Sequence, residues 1–238
     1  MFFDGPASMK PTTEQRLPVK KLINGAHQAQ NRGLEKALNL QQPIARANVE
    51  RLRRDNPDMT PAQVLACLNR EYLAALSIAG IAAGIAATSG QAQISIPAAL
   101  GDVLALTDAT VLYVLSVAEI HDLHSEDFER RRLLVMAVML GDAAAGAINK
   151  AVGRVGPHWA KQITNTIPMS MIRSINAVLG PHFVTKYGTK QGVLVLSKQL
   201  PRGIGAVLGG VGNHLIGRGV IKAAHNVFGA VPATWPDS

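Results

Sequence analysis

Residues 73–106 read Leu73-Ala-Ala-Leu-Ser-Ile-Ala-Gly80-Ile-Ala-Ala-Gly84-Ile-Ala-Ala, then Thr88-Ser-Gly-Gln-Ala-Gln93, then Ile94-Ser-Ile-Pro97-Ala-Ala-Leu-Gly-Asp102-Val-Leu-Ala-Leu106. No side chain between Glu71 and Asp102 carries a formal charge. Small apolar residues without strand-like alternation predict two helices joined at the polar break 88–93. Gly80 and Gly84 fall at i and i+4, one face of the first helix, where a missing side chain lets a neighbouring helix approach. Two settings satisfy such a hairpin. It inserts in lipid, since Tyr72–Gly90 is near the roughly 20 residues a span needs, or it is buried in a helical bundle.

Composition extends the helical reading to the whole chain. Hydrophobic residues make up 47% of the 238 positions and aromatics only 4%. A core built from Ala, Leu, Val and Ile with so few aromatics predicts an all-α fold, a single helical bundle carrying the Ala/Gly-rich apolar hairpin. The lone Cys67 excludes an internal disulfide framework and a cysteine-rich zinc site. Met1-Phe-Phe-Asp-Gly-Pro lacks the basic and apolar regions of a secretory leader, so export by that route is not expected.

Working outward, Thr60-Pro61-Ala62-Gln63 predicts a helix start. Thr60 caps, Pro61 suits the first helical position, and Gln63 closes a capping box. Ahead of it, Pro18, Gly25 and Pro43 predict a broken pair of polar helices ending at Asn56-Pro57. After it, Pro97 is expected to open the next helix, and Ser125–Glu129 supplies a cap and three acids for the one that carries Leu133–Leu140. Gly180-Pro181 predicts a helix break in the last third. The domains expected are an arm with polar helices (1–56), a helical domain (57–229) and a tail (230–238).

Net charge is +8 and unevenly placed. From Lys150 onward there are ten basic residues and one acid, Asp237. Isolated cations between apolar, Gly-rich helices suit anionic headgroups, reached by snorkelling. Lys186, Lys190, Lys198, Arg202, Arg218 and Lys222 are the candidate headgroup ligands. Nucleic acid is a poorer partner, because no recognised nucleic-acid motif accompanies the charge. Gly205, Gly209 and Gly212 share a helical face and are expected to pack against a neighbour, with Asn213 as an interhelical hydrogen bonder. Asp102 and Asp108, inside an apolar helix, are expected as buried polar groups, since each would cost about 2.5–3.5 kcal/mol at a bilayer centre.

Catalytic signatures are absent. There is no Gly-x-Ser-x-Gly, no phosphate-binding loop and no dinucleotide fingerprint. His121 and His124, with Glu119, have a spacing that could converge on a metal, but zinc needs three ligands and no His-Glu-x-x-His occurs. A polar helix terminus accounts for them better. No catalytic residue, metal or cofactor is assigned.

Three stretches together resemble a known family: the hairpin Ala79–Leu100; Ala118-Glu-Ile-His121 with Asp127-x-Glu129-Arg-Arg-Arg-Leu133 and Leu140-Gly141; and Lys198-Gln-Leu200-Pro201-Arg-Gly-Ile-Gly205 with Gly209-Gly-Val-Gly-Asn213, Ala223 and Phe228. They are similar to EcsC-type bacterial proteins over residues 60–229, with loose motifs. The polar break 88–93 departs from that pattern, and 1–56 has no counterpart in it. The resemblance implies a helical, membrane-associated protein whose namesake accompanies an ABC exporter, and it carries over no catalytic residue.

The function expected is therefore non-enzymatic: association with the anionic cytoplasmic face of a membrane, with a transport system as a further partner. The alternatives are a soluble bundle holding an acyl chain and, behind it, a metal-dependent hydrolase.

Overall fold

The computed structural model describes residues 13–88, 92–153, 158–197 and 204–235, with side-chain packing over 32–79, 105–151 (Ala143 excepted), 158–183 and 212–235. All regular structure among these residues is helical: α1 (Thr13–Asp55), α2 (Pro61–Thr88), α3 (Ala92–Ile120), α4 (Phe128–Leu140), α5 (Asp142–Val152), α6 (Ala160–Asn165), α7 (Met169–Ser197) and α8 (Ile204–Phe228). The all-α class read from composition is the fold observed.

The centre of the bundle is α4. Leu133 to Leu140 is an unbroken apolar run, and every one of its side chains is buried. A helix apolar on all sides must be surrounded, and α7, α3, α8, α1, α5 and α6 all pack on it. Its first turn is fixed by Asp127, whose Oδ1 accepts from the backbone N–H of Glu129 (2.9 Å) and Arg130 (3.3 Å). Ser125, the expected cap, instead accepts from the Asp127 N–H (3.2 Å). Gly141 ends α4 with φ +60°, a region that favours glycine, and its N–H returns to Ala137 O (2.9 Å).

The capping box at Thr60 is present: Gln63 Oε1 accepts from Thr60 N (2.8 Å) and Thr60 Oγ1 from Gln63 N (3.4 Å). From it, α2 buries Val64, Leu68, Tyr72 and Leu76, a single stripe at four-residue spacing. Ala74, Ala75 and Ile78 on its other side are exposed. Among the described residues no helix is long and apolar enough to cross a membrane. Of the two settings open to 72–90, the transmembrane helix is therefore not borne out: in its described part, α2 divides its surface between core and solvent.

Four expected breaks do not occur. α1 runs continuously through Pro18, Gly25 and Pro43, and α7 through Pro181. A helix-interior proline costs about 3 kcal/mol. Around Pro43 that cost is offset by burial on both flanks, Leu34, Ala37 and Leu38 before it and Ala45, Val49 and Leu52 after it. Leu179 and Phe183 do the same around Pro181. The buried residues of α1 belong to the same core as those of α2–α8, so the described part of 1–56 is a packed wall of the bundle. α3 starts at Ala92, ahead of Pro97. In the tail, Trp235 Nε1 donates to Met59 O (3.0 Å), and the Arg53 guanidinium lies 4.3 Å above its ring.

Candidate functional site

α2 and α8 run antiparallel. Asn213 Nδ2 donates to Leu76 O (3.3 Å), His214 Nδ1 approaches Ser77 Oγ (3.5 Å), and Gly217 lies against Leu73 and Leu76. A Cβ at Gly217 would come within 2.8 Å of both leucines, so glycine is what brings the helices this close. Below that contact the helices diverge, and a groove of about 730 Å³ opens between α2, α3 and α8.

Tyr113, Val117, Ala224 and Phe228 are buried and form the floor, while Leu65 and Leu73 of α2 form one apolar wall. Arg218, Lys222 and His225, at i, i+4 and i+7 on α8, share the opposite rim. The Arg218 and Lys222 side chains are exposed. Among the described residues no carboxylate lines the groove. Tyr113 OH donates to Asn69 Oδ1 (2.8 Å), leaving the Nδ2 amide as the donor that Asn69 offers. His121 packs on Phe228 with ring centroids 5.2 Å apart. Burial holds its imidazole down, to about 4, and His158 and His225 push the same way. Near neutral pH the ring is therefore an uncharged wall.

His124 turns elsewhere. Its Nδ1 lies 3.7 Å from both Glu119 Oε2 and Asp122 Oδ1. Glu119 also accepts from Gln42 Nε2 (3.0 Å) and faces Arg46 Nε (3.7 Å). Burial pushes the Glu119 carboxyl up, while His124 and Arg46 pull it back. The i, i+3 spacing of His121 and His124 does not bring them together, because Ile120 ends α3 and Asp122 takes a positive φ of 52°. Among the described residues no three His, Cys, Asp or Glu side chains are grouped to hold a metal ion.

The fold does create one Ser–His proximity that sequence spacing hid, Ser77 with His214. The Ser77 hydroxyl donates to Leu73 O (2.8 Å), so its proton points away from the imidazole. That is the reverse of a base-activated nucleophile.

Asn213 is buried between α8 and α2, and Gly212 beside it is half-buried. Asp108, expected inside, lies on the exposed side of α3, because Leu106, Thr107, Thr110 and Val111 take the inward positions. The shielding that remains pushes its carboxyl up, against Lys36. Cys67 is half-buried and accepts from Arg70 Nη2 (3.2 Å). The packing of Gly80, Gly84, Gly205, Gly209, Asp102, Lys186 and Lys190 lies outside the described residues, as do Lys198 and Arg202 altogether.

Compared with known proteins, the chain matches no family model, no curated protein and no solved structure.

Proposed function

We propose that this is a non-enzymatic helical protein that docks peripherally on anionic phospholipid membranes through the cations of its last third. One observation carries the reading. Lys150, Lys161, Arg173, Arg218 and Lys222 are all exposed, and among the described residues none of them is ion-paired. The ion pairs among the described residues join positions between 46 and 126 to one another, around Arg46, Arg51 and Glu119. Charge left without an internal partner is available to an external polyanion, at about 1 kcal/mol per Lys or Arg near an anionic surface.

Apolar support sits nearby. Ile78 (69% exposed) and Leu215 (63%) flank the Ser77–His214 approach on α2 and α8, where they could enter the headgroup layer as the cations engage phosphates. The resemblance to EcsC-type proteins agrees with this reading. It adds the cytoplasmic face of a bacterial membrane as the place and a transport system as a partner.

Flotation with phosphatidylcholine vesicles, with and without phosphatidylglycerol, tests the proposal. Co-flotation is expected only with the anionic vesicles and is reversed by salt. Recovery in the soluble fraction with anionic vesicles at low salt would overturn it.

A further inference from the structure

We propose that the groove between α2, α3 and α8 is a binding site for a single-chain anionic amphiphile, a long-chain carboxylate. The alkyl chain lies over Leu65, Leu73, Val117 and Phe228, and the head pairs with Arg218 and Lys222. This goes beyond surface docking, since it assigns an internal site for one lipid molecule.

Volume, polarity and charge agree on the occupant. About 730 Å³ falls inside the roughly 300–1,000 Å³ range of small-molecule sites. α2 contributes Leu65 and Leu73 to the wall, eight residues or about 12 Å of helix apart, with Asn69 the one polar side chain between them. With Val117, Ala224 and Phe228 as its floor, a mostly apolar groove of that length suits an alkyl chain better than a compact polar metabolite. Both formal charges on its rim are positive, and no carboxylate lies among the lining residues to neutralise them. A bound anion would meet the Arg218 fork and the Lys222 ammonium together. Asn69, held through its Oδ1 by Tyr113, offers an amide N–H as well. The uncharged His121 and its Phe228 neighbour keep the far wall apolar. At the Leu73 end the groove is shut by the Gly217 contact, so the chain lies along the helices and does not pass between them.

Gly219 makes the site testable without disturbing the core. It lines the groove, is exposed, and a Cβ there would meet nothing within 4 Å. Gly219→Phe therefore fills the groove from an open helical position. The full chain is titrated with the fluorescent fatty acid cis-parinaric acid, then competed with dodecanoate or with dodecanol. Saturable one-site binding is expected, with dodecanoate displacing the probe about tenfold better than dodecanol. The double variant Arg218→Ala/Lys222→Ala should erase that preference while still binding dodecanol. Gly219→Phe should weaken both ligands about tenfold, with helicity and flotation on anionic vesicles unchanged.

No saturable binding, a Gly219→Phe protein with undiminished affinity, or a charge-deleted protein that still prefers the carboxylate would each overturn the assignment. The two proposals fail separately. Lost flotation with intact fatty-acid binding sinks surface docking alone, and the converse sinks the groove alone.

Discussion

Tyr72 of α2 and Tyr113 of α3 stack face to face, with ring centroids 4.5 Å apart and planes 15° from parallel. Burial pushes both phenols above their ordinary range, so both remain protonated donors. Thr110 Oγ1 donates to Leu106 O (2.7 Å), and its remaining capacity accepts the Tyr72 hydroxyl (2.8 Å). Tyr113 points the other way, to Asn69. The pair thus ties α2 to α3 through one stack and two oppositely directed hydrogen bonds. Tyr72→Phe should cost about 1–2 kcal/mol, because it leaves a buried hydroxyl short of a donor. Tyr113→Phe should cost about 1 kcal/mol or less, since Asn69 is only half-buried. Urea unfolding of the two single variants and a Tyr72→Ala/Tyr113→Ala cycle checks both values, and the cycle should return a coupling of about 0.5–1.5 kcal/mol.

Two glycines two residues apart on α8 should respond oppositely to alanine. At Gly217 the new methyl meets Leu73 and Leu76, whereas at Gly219 it meets nothing. Gly219→Ala should stabilise by about 0.5–1 kcal/mol through helix propensity alone. Gly217→Ala should lose that gain and more, a net destabilisation of about 1 kcal/mol, because buried Leu76 has little room to shift. Thermal melts of the two proteins side by side measure the difference. Equal shifts would mean that α2 and α8 are not in close contact at this level.

Asn176 holds Glu129 from α7. Its Nδ2 donates to Glu129 Oε2 (2.6 Å) and to Glu129 O (2.9 Å). Asn176→Asp would set carboxylate against carboxylate in a buried place. Two such groups resist ionising together, so the destabilisation should be about 2–4 kcal/mol at pH 7 and shrink as acid lets the pair share a proton. Asn176→Leu should cost about 1–3 kcal/mol with no such pH trend. Urea midpoints of both variants against wild type at pH 5 and pH 7 separate the charge effect from the lost donor.

The depressed His121 imidazole sets an acid limit on stability. Its folded value is about 4 against an ordinary 6.5, so between those values the unfolded chain binds the extra proton. Stability must then rise with pH across that window and fall as pH drops from 6.5 towards 4. With solvent screening of the half-open ring allowed for, the loss is about 1–2 kcal/mol. His121→Phe keeps the contact with Phe228 and removes the proton site, so the difference between its unfolding midpoints at pH 7 and pH 4.5 should be smaller than in wild type. Identical pH dependence in the two proteins would remove His121 from the account.

How much of this was legible in the residues depends on whether the determinant is local. The helical class, the Thr60–Gln63 box and the apolar run of α4 depend on neighbours in sequence, and they are readable there. Pro43 and Pro181 misled because their outcome is decided by what α1 and α7 bury on either side, a tertiary quantity. The hairpin 73–106 draws the eye because only Asp102 in it carries a charge, yet the centre of the molecule is α4, which opens with three consecutive arginines, Arg130 to Arg132. Two of them find carbonyl partners: Arg131 Nη1 donates to Ser125 O (3.0 Å) and Glu126 O (2.8 Å), and Arg130 donates to Ile163 O. Charge count alone did not anticipate that. In the groove, the Arg218–Lys222 spacing showed that both lie on one helix face. Leu65, Val117 and Phe228 come from three helices, and no spacing rule unites them.

Seen from α4, the bundle has no dispensable side. From Leu133 to Leu140 every direction is apolar, so lifting any of the six helices packed on it wets the centre. A guest seated in the open groove beside α8 then rests against a scaffold that has no spare helix to give up, and α4 is the keel that holds it in shape.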